Sequence, residues 1–220
     1  MNVSLSREGR ALRRTIRAYV GLGANVGDAD ATLAAAVHAV ASLPGIRLCG
    51  VSRLYATRPV GVTDQPEFRN AVVAVDVAAR GDEAEPAALE LLVNLKDIER
   101  AFGRQDRERW GPREVDLDIL VFGRHRLAID RPLEGRSLDV ERDAERAIRR
   151  LEVPHRQARD RLFVLAPLAD LARWLVPPGW PETVETARQR RLAMEGDDAV
   201  RPIAVWDPLN DGWLQAAGLS

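Results

Sequence analysis

Val115-Asp116-Leu117-Asp118-Ile119-Leu120-Val121-Phe122 reads as a β-strand whose apolar run is broken by two aspartates. Side chains alternate along a strand, so residues two apart share a face and both carboxylates point the same way. The apolar residues around them predict a buried strand rather than an exposed edge. Toward the N-terminus lies an arginine-rich loop, 104–113. Before that loop, Pro86 opens a helix with the stripe Leu91, Leu95, Ile98 and Phe102, closed by Gly103. Asn70 to Ala78 is a valine-rich strand, and Ile46 to Thr57 is strand-like. Arg58 to Gln65 is a loop with Pro59 and Gly61. A further helix carries Leu33, Val37, Val40 and Leu43, with Asp28 or Asp30 as its cap and Pro44-Gly45 as its stop. Arg17 to Leu22 is the first strand. The order strand, helix, strand, strand, helix, strand predicts an α+β fold, a ferredoxin-like α/β sandwich with an antiparallel sheet.

Toward the C-terminus, the charged stretch at about 124–150 reads as an insertion. In it Val140, Ala144, Ala147 and Leu151 mark an amphipathic helix. A buried helix at Leu162 to Leu171 follows Pro154-His155. After Pro177-Pro178 come a polar helix near Glu182 to Met194 and a short strand near Ile203 to Trp206. The expected organisation is an N-terminal tail (1–16), a main domain (17–177) holding the insertion, and a C-terminal extension (178–220).

The 220 residues are 46% hydrophobic, enough for a real core in one α/β domain with appendages. A net charge of −1 implies no general attraction to nucleic acid or to a membrane surface. No apolar run approaches the roughly 20 residues of a membrane span. The lone Cys49 cannot form an intramolecular disulfide, which fits a reducing cytoplasm. Lys96 is the sole lysine among 32 basic residues, so no glycine-rich loop carries a P-loop lysine. Any phosphate must instead be met by guanidinium forks.

Two carboxylates side by side repel unless a cation accompanies them. Magnesium held by one or two carboxylates together with substrate phosphates is the usual arrangement. The same Asp-x-Asp pattern also arises by chance without a metal. Arg109-Trp110-Gly111-Pro112-Arg113, just upstream, makes a rigid turn that brings an indole and two guanidiniums near the acids. Cations beside a carboxylate pair suit a polyanion lying across both, such as ATP with its metal ions. The simpler alternative is a salt bridge from Arg113 to Asp116. Read singly, Phe68 and Phe163 are ordinary core residues and Asn70 ends a turn. Lys96 and Glu99, three apart, form a helix surface pair, and His155 is a structural hydrogen-bonder.

Taken together, the run from Arg109 to Leu120 closely resembles the signature of the 6-hydroxymethyl-7,8-dihydropterin pyrophosphokinases of folate biosynthesis. Further segments agree in order. Tyr19 to Asn25 is similar to the first strand and turn of that family. Tyr55 to Gly61 and Asp64 to Asn70 resemble its pterin loop. Lys96 to Glu99 and Phe102-Gly103-Arg104 resemble its second helix. Val153-Pro154-His155, Arg161 and Phe163 resemble its C-terminal site segment. The resemblance spans about 17–177 outside the insertion.

It implies the same fold and reaction: in-line attack of the pterin hydroxyl on the β-phosphorus of ATP, with release of AMP. By position it implies that Asp116 and Asp118 bind two magnesium ions, and the substrate hydroxyl is then activated either by Asp116 as a base or by the metal alone. Arg104 and Arg113 join them in catalysis. Arg107, Arg109, Trp110, Arg113, His155 and Arg161 face ATP, with Lys96, Glu99 and Ile119 beside it. Thr57, Arg58, Val60 and Asn70 meet the edge of the pterin, Phe68 and Phe163 sandwich its ring, and Trp110 and Asp116 complete that site. The loop from Arg104 to Pro112 is expected to close over ATP. The implied partners are small molecules only, with no nucleic acid and no membrane, and the implied state is a monomer in the cytoplasm. Arg156 stands where the family often has tyrosine, and Arg58 where a small residue or proline is common. Two alternatives are the same chemistry on another reduced pterin, as in a methanopterin pathway, and a ferredoxin-like RNA-binding module. The latter needs aromatic residues on central strands, where this chain has Val72, Val73 and Val75.

Overall fold

The computed structural model describes residues 13–58, 64–80, 83–103, 114–135 and 150–215. The expected alternation is present as β1 (Arg13–Ala24), α1 (Ala29–Ala41), β2 (Ile46–Val51), β3 (Leu54–Thr57), β4 (Phe68–Arg80), α2 (Ala84–Ala101) and β5 (Asp116–Phe122). It continues with β6 (Leu127–Asp130), β7 (Arg150–Val153), α3 (Leu162–Ala172), α4 (Val184–Glu195), β8 (Val200–Asp207) and β9 (Gly212–Gln215). The main sheet runs β5-β1-β4-β3-β8-β9, with β2 also on β4, and its pairings are antiparallel. A second, two-stranded sheet joins β6 to β7.

Local chemistry explains the elements. Asp28 rather than Asp30 caps α1, its carboxylate accepting from the Ala31 N–H at 3.0 Å. Asp30 instead takes a hydrogen bond from Arg69 Nε at 2.9 Å. Gly103, just past α2, has φ of +78°, a conformation that side chains with a Cβ resist. The stripes of α1 and α2 bury Leu33, Val37, Val40, Leu91 and Leu95 against one face of the sheet. On the other face Leu165 and Leu168 of α3 pack with Val72, Leu120 and Val121.

Four expectations need correction. The segment Ile46 to Thr57 is two strands, broken at Ser52-Arg53. There the Ser52 N–H donates to Val72 O (2.9 Å) and the Ser52 hydroxyl accepts from Val72 N–H (2.9 Å), so a side chain replaces one ladder partner. Leu151 lies on strand β7 and is buried, not on a helix. The other members of that predicted helix, Val140, Ala144 and Ala147, lie outside the described residues. The C-terminal strand is longer than expected and is part of the main sheet, with Thr57 opposite Val200. It forms a hairpin with β9 whose Trp213 indole donates to Ser52 O at 3.0 Å. Finally, among the described residues β5 pairs in the main sheet with β1 alone, so the strand of the two aspartates is an edge strand.

Asp76 illustrates what holds the sheet's outer layer. It is buried on β4, with Arg17 Nε 2.6 Å from one carboxylate oxygen and Arg47 on the other. The Arg17 hydrogen bond, opposed by burial, keeps its pKa below the ordinary value of 3.8. A depressed carboxylate pKa contributes stability above the unfolded value, and that contribution is lost as pH falls through the folded one. Asp76→Asn is therefore expected to lower the urea midpoint at pH 7, with the gap to the parent narrowing below about pH 4. Urea titrations at pH 7 and pH 3 check this, and a gap that does not change with pH contradicts it.

Candidate active site

The register of β1 sets the site. Gly23 lies opposite Asp116 on one side and Asn70 on the other, and Gly21 lies opposite Asp118 and Val72. Directly opposed residues in a sheet share a face. Asp116, Asp118 and Asn70 therefore face the same side as α3, while Leu117 and Ile119 enter the core beneath α1 and α2. Between Asp116 and Asn70, β1 presents only the hydrogen atoms of Gly23, which leaves a shallow trough; beside Asp118 the Leu120 side chain fills the space over Gly21. A Cβ at Gly23 would lie 3.3 Å from Asn70 Oδ1, tighter than most contacts of this kind. Gly23→Val fills that trough and is expected to reduce kcat/KM on the order of 10²-fold by displacing whatever binds there. Steady-state kinetics beside a thermal melt check this; kcat/KM within about twofold of the parent would show that the trough is not used.

Asn70 is held in place. Its Nδ2 donates to Thr57 Oγ1 at 2.9 Å, and both residues are buried. Phe68, at the start of β4 opposite Thr57, and Phe163, in the first turn of α3, are both half-buried rather than enclosed in the core. The Arg161 guanidinium stands 5.5 Å from the Phe163 ring centroid and also hydrogen-bonds Gln157. Arg58 is exposed just past β3.

The acids sit on a reinforced edge. Lys96 and Glu99 are 5% and 2% exposed, so the surface-pair alternative fails. Lys96 Nζ donates to Glu99 at 2.6 Å and to Leu117 O at 3.0 Å, and Leu117 N–H donates to Glu99 at 2.7 Å. Further along, His155 N–H donates to Leu120 O at 2.8 Å. These contacts satisfy the outward-facing backbone groups of an edge strand, whose apolar side chains are packed in the cores on its two faces. Asp118 remains 35% exposed at its side chain, with Lys96 Nζ 3.9 Å from Oδ1. Asp116 is half-buried beside it. Ile119 is buried, so its side chain belongs to the core.

His155 carries a further sign of a ligand site. Its Nδ1 is shielded from solvent and has no hydrogen-bond partner among the described residues. Burial pushes its pKa down from the ordinary value. Asp118 and Asp116 oppose that shift, and Arg161 and Arg131 reinforce it, which places the ring among these charges. Val60, Arg104, Arg107, Arg109, Trp110 and Arg113 lie outside the described residues, as does the whole loop expected to close over ATP.

Several supporting residues escape a reading of the sequence. Asn25 donates to Gln65 Oε1 (3.0 Å) and to Pro66 O (3.2 Å), tying the segment before Phe68 to the turn that follows β1. Arg201 of β8 holds Glu67 through both carboxylate oxygens, at 2.8 and 3.0 Å. Asp170 of α3 accepts from Arg53 (2.6 Å) and from the Tyr55 hydroxyl (3.0 Å), which docks the helix of Phe163 onto β3. Each pair is more than 35 residues apart, so no local pattern announces it. Asn25, Tyr55, Gln65 and Glu67 stand in segments that resemble the family, but their partners there are not legible from the match.

The architecture is the ferredoxin-like α+β sandwich, with an acid pair, an amide and two aromatic rings on one side of the sheet. The family model of 7,8-dihydro-6-hydroxymethylpterin-pyrophosphokinase (HPPK) matches residues 19–173, and the chain belongs to that family. It is 43% identical over 171 residues to the 2-amino-4-hydroxy-6-hydroxymethyldihydropteridine pyrophosphokinase of Methylorubrum extorquens, covering 78% of this chain and 90% of that protein. It is 42% identical over 156 residues to the protein of the same name from Pseudomonas aeruginosa, covering 71% of this chain and 80% of that one. Among solved structures, wild-type HPPK-DHPS of Plasmodium falciparum with STZ-DHP aligns with a TM-score of 0.67 at 16% identity. That alignment covers 96% of this chain and 49% of the longer one, a likeness of fold.

Proposed function

We propose that the chain transfers the terminal diphosphate of ATP to the hydroxymethyl group of 6-hydroxymethyl-7,8-dihydropterin, releasing AMP, as a step of folate synthesis. The observation that carries this reading is the row Asp116–Gly23–Asn70. In that row Asp116, with Asp118 two residues along on the same face, lies one glycine away from a buried amide held by Thr57. ATP is the co-substrate. Asp116 and Asp118 would hold two magnesium ions together with the ATP phosphates. Two hard oxygen donors on one half-exposed face suit that ion, and the Nδ1 of His155 has no hydrogen-bond partner among the described residues. Bound there, magnesium neutralises the triphosphate and makes its β-phosphorus easier to attack.

The chain's own part is alignment. Asn70, fixed by Thr57, offers a donor and an acceptor to the amide-like edge of the pterin, with Thr57, Arg58 and Val60 along the same edge. Phe68 and Phe163 present ring faces to the planar heterocycle. Arg161, with Arg104, Arg107, Arg109 and Arg113 of the arginine-rich segment, balances the charge of the phosphates, His155 offers them a hydrogen bond from its neutral ring, and Trp110 closes the site. Asp116 accepts the hydroxyl proton as the new P–O bond forms and AMP departs. No helix among the described residues is long and apolar enough to cross a membrane. We place the reaction in the cytoplasm, carried out by a monomer on small molecules. A coupled assay of AMP release with ATP, magnesium and the hydroxymethyl pterin tests the proposal. AMP release that depends on the pterin is expected, and its absence, or equal release with other reduced pterin alcohols, counts against it.

A further inference from the structure

We infer that Lys96 and Glu99 are positioning residues for the acid pair, holding both backbone groups of Leu117 and so fixing how Asp116 and Asp118 stand relative to one another. The inference rests on the reading of these two aspartates as magnesium ligands. Along an antiparallel strand, successive residues turn their N–H and C=O groups to opposite sides. Leu117 turns both of its groups toward α2, where Glu99 accepts from N–H at 2.7 Å and Lys96 Nζ donates to C=O at 3.0 Å. On an edge strand those groups would otherwise face water, and the segment would be free to fray. Here one residue is gripped at both ends, and it is the residue between the two carboxylates.

The charges suit this task. Lys96 and Glu99 bond each other at 2.6 Å, so the pair adds no net charge beside the acids. Lys96 Nζ stays 3.9 Å from Asp118 Oδ1, beyond hydrogen-bonding distance, so that oxygen keeps its lone pairs for a cation. Both side chains are buried, and charge-assisted bonds to a backbone are stiffer than neutral ones. A direct contact of Lys96 with nucleotide would require a buried ammonium to leave two short bonds.

Three variants test this. Lys96→Met removes the donor to Leu117 O. Glu99→Gln keeps an acceptor for Leu117 N–H but leaves the Lys96 charge uncompensated near Asp118. Lys96→Arg restores a cationic donor. The first readout is exchange of the Leu117 amide in the ligand-free protein, followed by NMR. The second is the affinity of Mn²⁺ for the complex with a non-hydrolysable ATP analogue. The third is KM for ATP at saturating magnesium. Lys96→Met is expected to speed Leu117 exchange about tenfold. It should weaken Mn²⁺ binding about fivefold or more, leave KM for ATP within about twofold, and be partly rescued in Lys96→Arg. Glu99→Gln, which preserves shape, is expected to weaken Mn²⁺ binding as well. A rise in KM for ATP with unchanged exchange would overturn the inference in favour of direct nucleotide contact. Faster exchange with unchanged Mn²⁺ affinity would reduce the clamp to a stability device. Asp118→Asn is the control: if it fails to weaken Mn²⁺ binding, the metal reading itself has failed rather than the clamp.

Discussion

Asp118→Ala and Asp116→Ala are each expected to lower turnover about 10³-fold or more while the fold survives. Metal-assisted stabilisation of a transferring phosphoryl group contributes several kcal/mol, and each 1.36 kcal/mol is about tenfold in rate. The fold survives because neither side chain is part of the core: both stand on the half-exposed face of β5, while Leu117 and Ile119 carry the packing. Removing one carboxylate also relieves repulsion in the metal-free protein, so thermal stability should hold or rise slightly. Steady-state kinetics at saturating magnesium, beside a melting curve, check both parts. Near-normal turnover in either variant would remove the aspartates from the site.

Phe163→Ala is expected to raise KM for the pterin roughly 10- to 100-fold and to change KM for ATP by no more than about twofold. Aromatic stacking contributes about 0.5–1.5 kcal/mol beyond the area it buries, and truncation of the ring loses both. The ring is half-buried, and its helix is docked independently through Asp170 to Arg53 and Tyr55. The stability loss should therefore fall below the 3–5 kcal/mol typical of truncating a fully enclosed phenylalanine. Calorimetry with each ligand separates the cases. Equal losses of affinity for both ligands, with a large drop in melting temperature, would return Phe163 to the core.

Much of this architecture is legible in the residues themselves. The helical stripes of α1 and α2 and the valine run of β4 follow from periodicity, and alternation alone puts Asp116 and Asp118 on one face. What stays hidden is set by pairing. Nothing in Val115 to Phe122 tells that β5 is an edge, because its free backbone groups are met by Lys96, Glu99 and His155 of distant segments. The same holds for Ser52, whose hydroxyl completes a ladder only once β4 lies beside it. Lys96 and Glu99 look like a solvated i,i+3 pair until the strand they grip is in place. The trough is intermediate in kind. Gly23 is visible in the sequence as part of a glycine pattern, but its purpose emerges only from the register that sets it between Asp116 and Asn70.

Diphosphate is expected to move as one unit to the pterin hydroxyl. The most direct measurement is to incubate the chain with ATP labelled at the γ-phosphorus, magnesium and 6-hydroxymethyl-7,8-dihydropterin, and to identify the products by mass and by label. AMP and a pterin diphosphate are expected in equal amounts, with the label on the terminal phosphate of the pterin product. Formation of ADP with a pterin monophosphate, or of labelled inorganic phosphate without a phosphorylated pterin, would contradict it.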